Sequence, residues 1–394
     1  MTGSQARRAA LTVGGVLAGI AAAGGVAVLW AAVSAARRLV TPPSKVWRDA
    51  RIEAVRDGAV TLTRSVAAAL PGRYSLWADE DRKYAKIGRI IAIDERTVTR
   101  ELIAVEDGPL EAGTFARVSA PFYRDPRELG VPVEDVAVLT PLGPAPAWVV
   151  PAEPEAGGKD WAILVHGRNA TRWECIRAVP SLRASGFNVL IASYRNDPGA
   201  PAAPDGKYSL GDREWEDVDA AVELARDRGA KRVVLMGWSM GGAAVLRTLE
   251  RTRHRKTIVA AILDSAAVDW VDVIDGQLTA MRIPQPVPFA SKLVLASPFW
   301  AKAVGLLRPL PIAAMQAEEH AARLRVPVLV LQGDADRTTP VAAARRFAEA
   351  RPRLVTMIEF PGADHVRLWN ADPERYERVI RAWLGDQGLM RRPG

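Results

Sequence analysis

From Val136 onward the chain alternates near-continuous apolar runs with amphipathic segments, and that alternation leaves few folds open. The apolar runs are Trp161–Val165, Phe187–Ser193, Arg232–Met236, Ile258–Leu263, Val326–Gln332 and Leu354–Phe360. Strands covered by helices on both faces have this character, whereas half-solvated strands alternate apolar with polar residues. Between them Thr171–Ala184, Asp212–Arg228, Met240–Glu250, Val341–Glu349 and Pro373–Leu384 read as helices. The pattern predicts an α/β fold, a mostly parallel sheet flanked by helices. Two short strands split by a Pro141-Leu142-Gly143-Pro144 turn precede it. Ser265 to Arg323, rich in Pro and aromatic residues, interrupts the alternation. A stretch that long is rarely a structureless loop, so a lid is expected over about 265–323.

The N-terminal third follows a different pattern. Ala59–Arg64, Tyr74–Ala78, Ala85–Asp94, Thr97–Val105 and Thr114–Ala120 read as short strands separated by turn or charge clusters. Their β-branched content and the Glu106-Asp107-Gly108-Pro109 turn predict a small β-rich domain over 47–135, leaving 136–394 for the larger domain. No motif with recognisable chemistry falls in the smaller one. A structural or docking role is expected for it.

Before both lie residues 9–36, which carry no charge between Arg8 and Arg37. At 1.5 Å per residue a helix of that length exceeds the roughly 30 Å core of a bilayer. A single-pass N-terminal membrane anchor is therefore expected, with Trp30 and Trp47 suited to the interface. The alternative is an export signal cleaved near Val33-Ser34-Ala35. This segment also accounts for the one unusual feature of composition, a net charge of +8. Arg7, Arg8, Arg37, Arg38, Lys45 and Arg48 contribute six of those charges and Arg391 with Arg392 the other two. The rest of the chain holds as many basic as acidic residues, which excludes nucleic acid as the expected partner. The single Cys175 excludes a disulfide framework and any multi-cysteine metal site.

Chemistry concentrates after the strands. Gly237-Trp238-Ser239-Met240-Gly241 has the form G-x-S-x-G, entered by an apolar strand and left by a helix. So tight a strand-to-helix turn needs small flanking residues and lifts its serine above the sheet as a nucleophile. A serine hydroxyl needs a base near neutral pH, and the base needs an orienting carboxylate. Of the four histidines, His254 sits in a charge cluster, His320 lies within the lid segment and reads as a surface residue, and His166 is followed by Gly167 directly after a strand. His365, in the loop after the last strand, is the expected base. Asp336, in Gly333-Asp334-Ala335-Asp336-Arg337-Thr338-Thr339-Pro340, is the expected acid, with Asp334 as the alternative and Asp264 a remoter one. Asp364 reads as a loop-stabilising residue. The order Ser239, Asp336, His365 is the nucleophile, acid, base order of one serine hydrolase fold and differs from the others. Loops at the carboxyl ends of parallel strands converge on one crevice, so residues this far apart in sequence can meet.

With these segments in hand, the stretch from about Val136 to Leu384 resembles the α/β-hydrolase superfamily. The resemblance rests on His166-Gly167-Arg168, Tyr194-Arg195, Gly237 to Gly241, Gly333 to Pro340 and Gly362 to His365, in that order. Within it the chain resembles a serine hydrolase branch similar to the Bem46-like and serine aminopeptidase-like hydrolases. The resemblance implies an oxyanion hole built from the backbone N–H groups of Arg168 and Met240, and a structural role for His166. Tyr194-Arg195-Asn196-Asp197-Pro198 departs from the commoner Tyr-Arg-Gly turn.

The expected function is a membrane-associated serine hydrolase that cleaves a carboxylic ester or thioester through an acyl-enzyme on Ser239. It needs no cofactor or metal, and its expected partner is a small-molecule or lipid-like acyl substrate. The hydrophobic residues between Leu278 and Leu310 would line an acyl pocket or form the lid's own core. The alternatives are an acyltransferase or peptidase with the same three residues, or a non-catalytic membrane-anchored interaction protein.

Overall fold

The structure, a computed structural model, describes residues 24–43, 47–153 and 158–390. It opens with helix α1, residues 24–40. Ala32, Ala36, Leu39 and Val40 on this helix are buried in the same hydrophobic core as Leu278, Val287 and Leu295, from the segment expected to form the lid. Residues 9–23 of the expected membrane anchor lie outside the described residues. Among the described residues no helix is long and apolar enough to cross a membrane. From Val28 onward the anticipated anchor is instead packed on protein, with Trp30 left exposed.

Six strands then close into a barrel: β1 Ala50–Arg56, β2 Ala59–Thr63, β3 Tyr74–Ala78, β4 Lys83–Ile93, β5 Thr97–Val105 and β6 Phe115–Ser119. Their order around the barrel is β1-β2-β5-β4-β3-β6, with every neighbouring pair antiparallel. Closure removes the free strand edges that a small sheet would otherwise expose. Ile52, Val60, Leu62, Leu76 and Ile87 fill the interior. Strand β1 is absent from the sequence reading because the alternation of Ala50 and Ile52 with Arg51 and Glu53 is brief and breaks at Ala54-Val55, just past a register shift between Ile52 and Ala54. Arg100 is fully buried among these apolar residues, with no carboxylate partner among the described residues. Its guanidinium donates instead to the carbonyls of Ala68, Leu70, Gly72 and Gly88. Burial pushes its pKa down to about 10, so it keeps its charge at neutral pH.

The remaining strands form one sheet in the order β14-β13-β12-β11-β9-β10-β8-β7. They are β7 Glu134–Thr140, β8 Gly143–Val150, β9 Asp160–Val165, β10 Phe187–Ala192, β11 Arg232–Trp238, β12 Ile258–Asp264, β13 Val328–Gly333 and β14 Val355–Phe360. The β7–β8 hairpin and the β8–β10 pair are antiparallel, and the other five pairs are parallel. Register aligns the carboxyl ends: Val165 faces Gly237, Trp238 faces Asp264, and Gly333 faces Phe360. The loops after β9, β11, β13 and β14 therefore leave the sheet along one edge.

Helices cover both faces. α2 is Val179–Ala184, α3 Trp215–Asp227 and α4 Met240–Arg251. The interruption between Ser265 and Arg323 holds α5 Trp270–Ala280, α6 Val287–Ala296, α7 Trp300–Ala303 and α8 Ala317–Arg323. α9 Val341–Ala350, α10 Leu368–Ala371 and α11 Pro373–Asp386 follow. One core lies between the sheet and α3, α4, α9 and the lid helices, and the other between the sheet and α2 and α11.

The barrel is fastened to the sheet domain at α10. Asn370 Nδ2 donates to the carbonyls of Arg73 (2.6 Å) and Ala120 (2.8 Å), and its own carbonyl accepts the Arg73 N–H (3.0 Å). Its Oδ1 accepts from Arg177, whose guanidinium also holds the Val366 carbonyl. Asn370→Ala would leave buried carbonyls and a buried arginine without these partners. It is expected to cost about 2 to 4 kcal/mol, read as a lowered urea midpoint together with faster proteolysis in the Pro71–Arg73 loop. An unchanged midpoint would show that the clasp carries no stability.

Candidate active site

Ser239 joins β11 to α4 with φ 49° and ψ −118°. A non-glycine residue held there costs on the order of 1 to 3 kcal/mol, so the surroundings must enforce it. They do so by close approach. A Cβ on Gly237 would meet the Gly241 carbonyl oxygen at 2.5 Å, and one on Gly241 would lie 2.2 Å from the Val165 carbonyl oxygen. The Ser239 N–H donates to the Asp264 carbonyl (3.1 Å), and its carbonyl accepts from Gly242 (3.0 Å) and Ala267 (3.0 Å). The small residues of the motif thus let strand, helix and the end of β12 converge on one serine.

The structure brings the three residues expected from sequence into one hydrogen-bonded line. His365 Nε2 lies 3.0 Å from Ser239 Oγ, and its Nδ1 lies 2.8 Å from Asp336 Oδ2. Asp336 is buried and multiply held: its Oδ1 accepts the N–H groups of Thr338 and Thr339 (2.8 Å each). Its Oδ2 accepts from the Thr339 hydroxyl (2.7 Å) and Gln332 Nε2 (3.0 Å). Burial opposes ionisation of Asp336, but the His365 interaction and the Thr339 hydrogen bonds outweigh it and hold its carboxyl below the usual range. The other acids are occupied elsewhere. Asp334 accepts the Gly362 N–H, Asp364 accepts the His365 N–H, and Asp264 accepts from Tyr376 and Ser265. Burial raises the Asp264 carboxyl above its usual range.

Several supporting residues escaped the sequence reading. Ser265 Oγ accepts the Val366 N–H (3.1 Å) and so ties the histidine loop to the end of β12. Thr339 had a legible signal, since an aspartate whose side chain accepts backbone N–H groups two and three residues on is a common turn device. Ser265 and Gln332 had none, because only folding brings them to the site.

On the opposite side stands the loop after β9. A Cβ on Gly167 would lie 3.0 Å from the Ser239 Cβ, so this loop runs directly against the serine. The Gly167 N–H donates to buried Glu174 (2.7 Å), and its carbonyl accepts from the Tyr194 hydroxyl (2.9 Å). Among the described residues the backbone N–H groups of Arg168 and Met240 donate no hydrogen bond; Met240 opens α4, where an N–H has no intrahelical acceptor. His166 is wholly buried, stacked on Tyr194, with Nε2 2.7 Å from Asp197 Oδ2 and Nδ1 2.9 Å from the Gly167 carbonyl. Asp197, at the point where the chain departs from Tyr-Arg-Gly, thus supports this loop. His254 and His320 depart from the sequence reading. Both are buried, His254 against Arg226 (2.6 Å) and His320 against Glu250 (2.6 Å).

A strained serine on the turn after β11, an aspartate and a histidine on the loops after β13 and β14, and a parallel sheet beneath them define a serine hydrolase. The chain matches the alpha/beta hydrolase family over residues 162–379, more than half its length, and it belongs to that family. Residues 51–119, the barrel strands, match a domain family of unknown function (DUF8805). Among solved structures it is similar to an esterase of Pyrococcus furiosus. One crystal form gives 20% identity and a TM-score of 0.51 over 67% of this chain and 96% of that one. Another gives 20% and 0.52 over 68% and 94%. No curated protein gave a significant match. The protein is an alpha/beta hydrolase whose Ser239, His365 and Asp336 are arranged as in the serine hydrolase class.

The buried His166–Asp197 pair makes stability depend on pH. Burial alone would lower the histidine pKa, but the Asp197 carboxylate overrides it and the net shift is upward from 6.5. A raised folded pKa contributes stability that is fully present below 6.5 and is lost as pH rises through the folded value. Asp197→Asn is therefore expected to remove a component of thermal stability seen at pH 6 but not at alkaline pH. Melting curves of both proteins across that range check it, and parallel pH profiles would refute it.

Proposed function

We propose that the protein hydrolyses a carboxylic ester or thioester through an acyl-enzyme on Ser239. The observation that carries this reading is the unbroken line from Ser239 Oγ through His365 to Asp336 at 3.0 and 2.8 Å. Ser239 Oγ attacks the substrate carbonyl as its proton passes to His365 Nε2. The protonated imidazole then returns that proton to the departing alkoxide or thiolate, and the acyl group stays on Ser239. Water, deprotonated by the same nitrogen, attacks the acyl carbonyl and frees the carboxylic acid and the serine. Asp336, kept ionised by its hydrogen bonds, fixes the imidazole tautomer and balances its charge. The Arg168 and Met240 N–H groups stabilise the tetrahedral oxyanion, a contribution on the order of 2.7 to 4 kcal/mol for a single donor.

Membrane attachment belongs to the same proposal and is supported by the uncharged run behind Arg7 and Arg8. Val28 and Leu29 pack partly on the core and α1 is buried from Ala32 onward, so in this proposal residues 9–27 are the part of the run left for lipid. At about 1.5 Å per residue, a helix of that length still matches the roughly 30 Å hydrocarbon core. Trp30 then falls at the interface. The lipid-like character of the expected substrate fits this location.

A fluorophosphonate probe should label the purified protein at Ser239, and Ser239→Ala and His365→Ala should abolish labelling. Asp336→Asn should lower kcat on a p-nitrophenyl ester by about 10³- to 10⁴-fold. A folded sample that takes up no label would overturn the hydrolase mechanism. In cells, the full chain should stay with membranes after alkaline carbonate washing and keep its N-terminus on sequencing. Release as a soluble, shortened protein would replace the anchor with a cleaved signal.

A further inference from the structure

A cavity of about 330 Å³ lies between α1, the lid helices α5 and α6, and Arg168. Its walls are Ala31 and Ala35 from α1 and Ile274, Leu278 and Leu295 from the lid, so it is bounded chiefly by apolar groups. Its volume falls at the lower end of the range for ligand pockets. Three observations connect it to the loop beside Ser239 and fix its walls. Arg168 follows Gly167, whose backbone lies against Ser239. The Arg168 guanidinium donates to the Leu39 carbonyl (3.1 Å), capping the last turn of α1 from the loop beside the nucleophile. The lid face of the cavity is tied to α1 as well, because Ser291 Oγ lies 3.4 Å from the Ala32 carbonyl. On the α1 side, between Trp30 and Arg38, the residues that line it are all short: Ala31, Ser34, Ala35 and Ala36. A larger side chain at Ala31 or Ala35 would project into it.

We propose that α1 is a specificity-determining wall of the active site, and that the space between it and the lid holds the apolar acyl chain of the substrate. The proposal rests on the hydrolase reading above and names the substrate class: esters whose acyl part is an unbranched hydrocarbon chain. The chain lies among Ala31, Ala35, Ile274, Leu278 and Leu295 while its carbonyl sits at Ser239. Arg168 serves both ends, with its backbone N–H facing the oxyanion and its side chain fixing the helix that bounds the tail. Arg168 and Arg38 line the cavity and no acidic residue does, among the described residues, so a cationic acyl group is disfavoured there. Because α1 continues from the segment proposed to enter the bilayer, the tail pocket lies where that segment meets the enzyme.

The test is an acyl-length series of p-nitrophenyl esters from acetate to dodecanoate, measured on the full chain. For the unaltered protein, kcat/KM should rise by up to about fourfold for each added methylene until the cavity is full. Ala35→Phe fills the cavity from α1, and Ala31→Phe does so one turn earlier, guarding against failure of either variant to fold. In whichever variant keeps its circular dichroism spectrum and fluorophosphonate labelling, the ratio of kcat/KM for decanoate to that for acetate should fall at least tenfold. An unchanged ratio in a folded variant, or no rise with length in the unaltered protein, would overturn the assignment of α1 and its cavity. Absence of both labelling and turnover in the unaltered protein is a different result, which removes the hydrolase reading and the acyl-chain assignment with it.

Discussion

The strained backbone at Ser239 is the constraint around which the larger domain is arranged. Its φ of 49° is tolerated only because Gly237, Gly241 and Gly242 allow β11, α4, the end of β9 and the start of the lid to close on one point. Helix α4 is thereby pressed so near the sheet that a methyl group on Gly241 would overlap the Val165 and His166 carbonyl oxygens. The loop carrying Gly167 and Arg168 starts at those same carbonyls. The nucleophile and the opposite wall of the site are therefore positioned by one packing contact. Strain at the serine and precision across the crevice have a common origin.

Support for the histidine comes from further away. Its loop is held by Ser265 from the end of β12, by Arg177 through the Val366 carbonyl, and by Asn370 a turn later. Asn370 and Arg177 share a hydrogen bond, and Asn370 grips the barrel. Inside the barrel, Arg100 organises the segment that Asn370 grips, since it holds the carbonyls of Ala68, Leu70 and Gly72. Backbone carbonyls can satisfy a buried guanidinium where no carboxylate is present, because they supply acceptors in several directions.

What was readable in the sequence divides along physical lines. The sheet strands were legible because burial on both faces removes polar residues altogether. Ser239, Asp336 and His365 were legible as a set because each follows a strand and their order restricts the fold. Strand β1 was not, since its alternation lasts only from Ala50 to Glu53, where the register shifts. His254 and His320 looked solvated because charged neighbours surround them in sequence, yet their rings turn inward to Arg226 and Glu250. The second half of the uncharged N-terminal segment illustrates a deeper limit. Small apolar residues suit a lipid surface and a protein surface equally well, and hydropathy alone does not distinguish them. Only the packing of Val28, Leu29, Ala32 and Ala36 assigns that stretch to the enzyme.

The clasp at Asn370 bears on how this chain can be divided. Cutting between β6 and β7 would look natural on strand counts, because the barrel closes on itself and the sheet is complete without it. Yet the Gly72 backbone is seated so tightly on Asn370 that a Cβ there would fall 1.9 Å from the Asn370 carbonyl oxygen. The same asparagine stands five residues beyond the base of the active site. A hydrolase domain expressed alone would expose this buried seat to water beside its histidine loop. The barrel thus behaves less as a detachable module than as a structural abutment for the site.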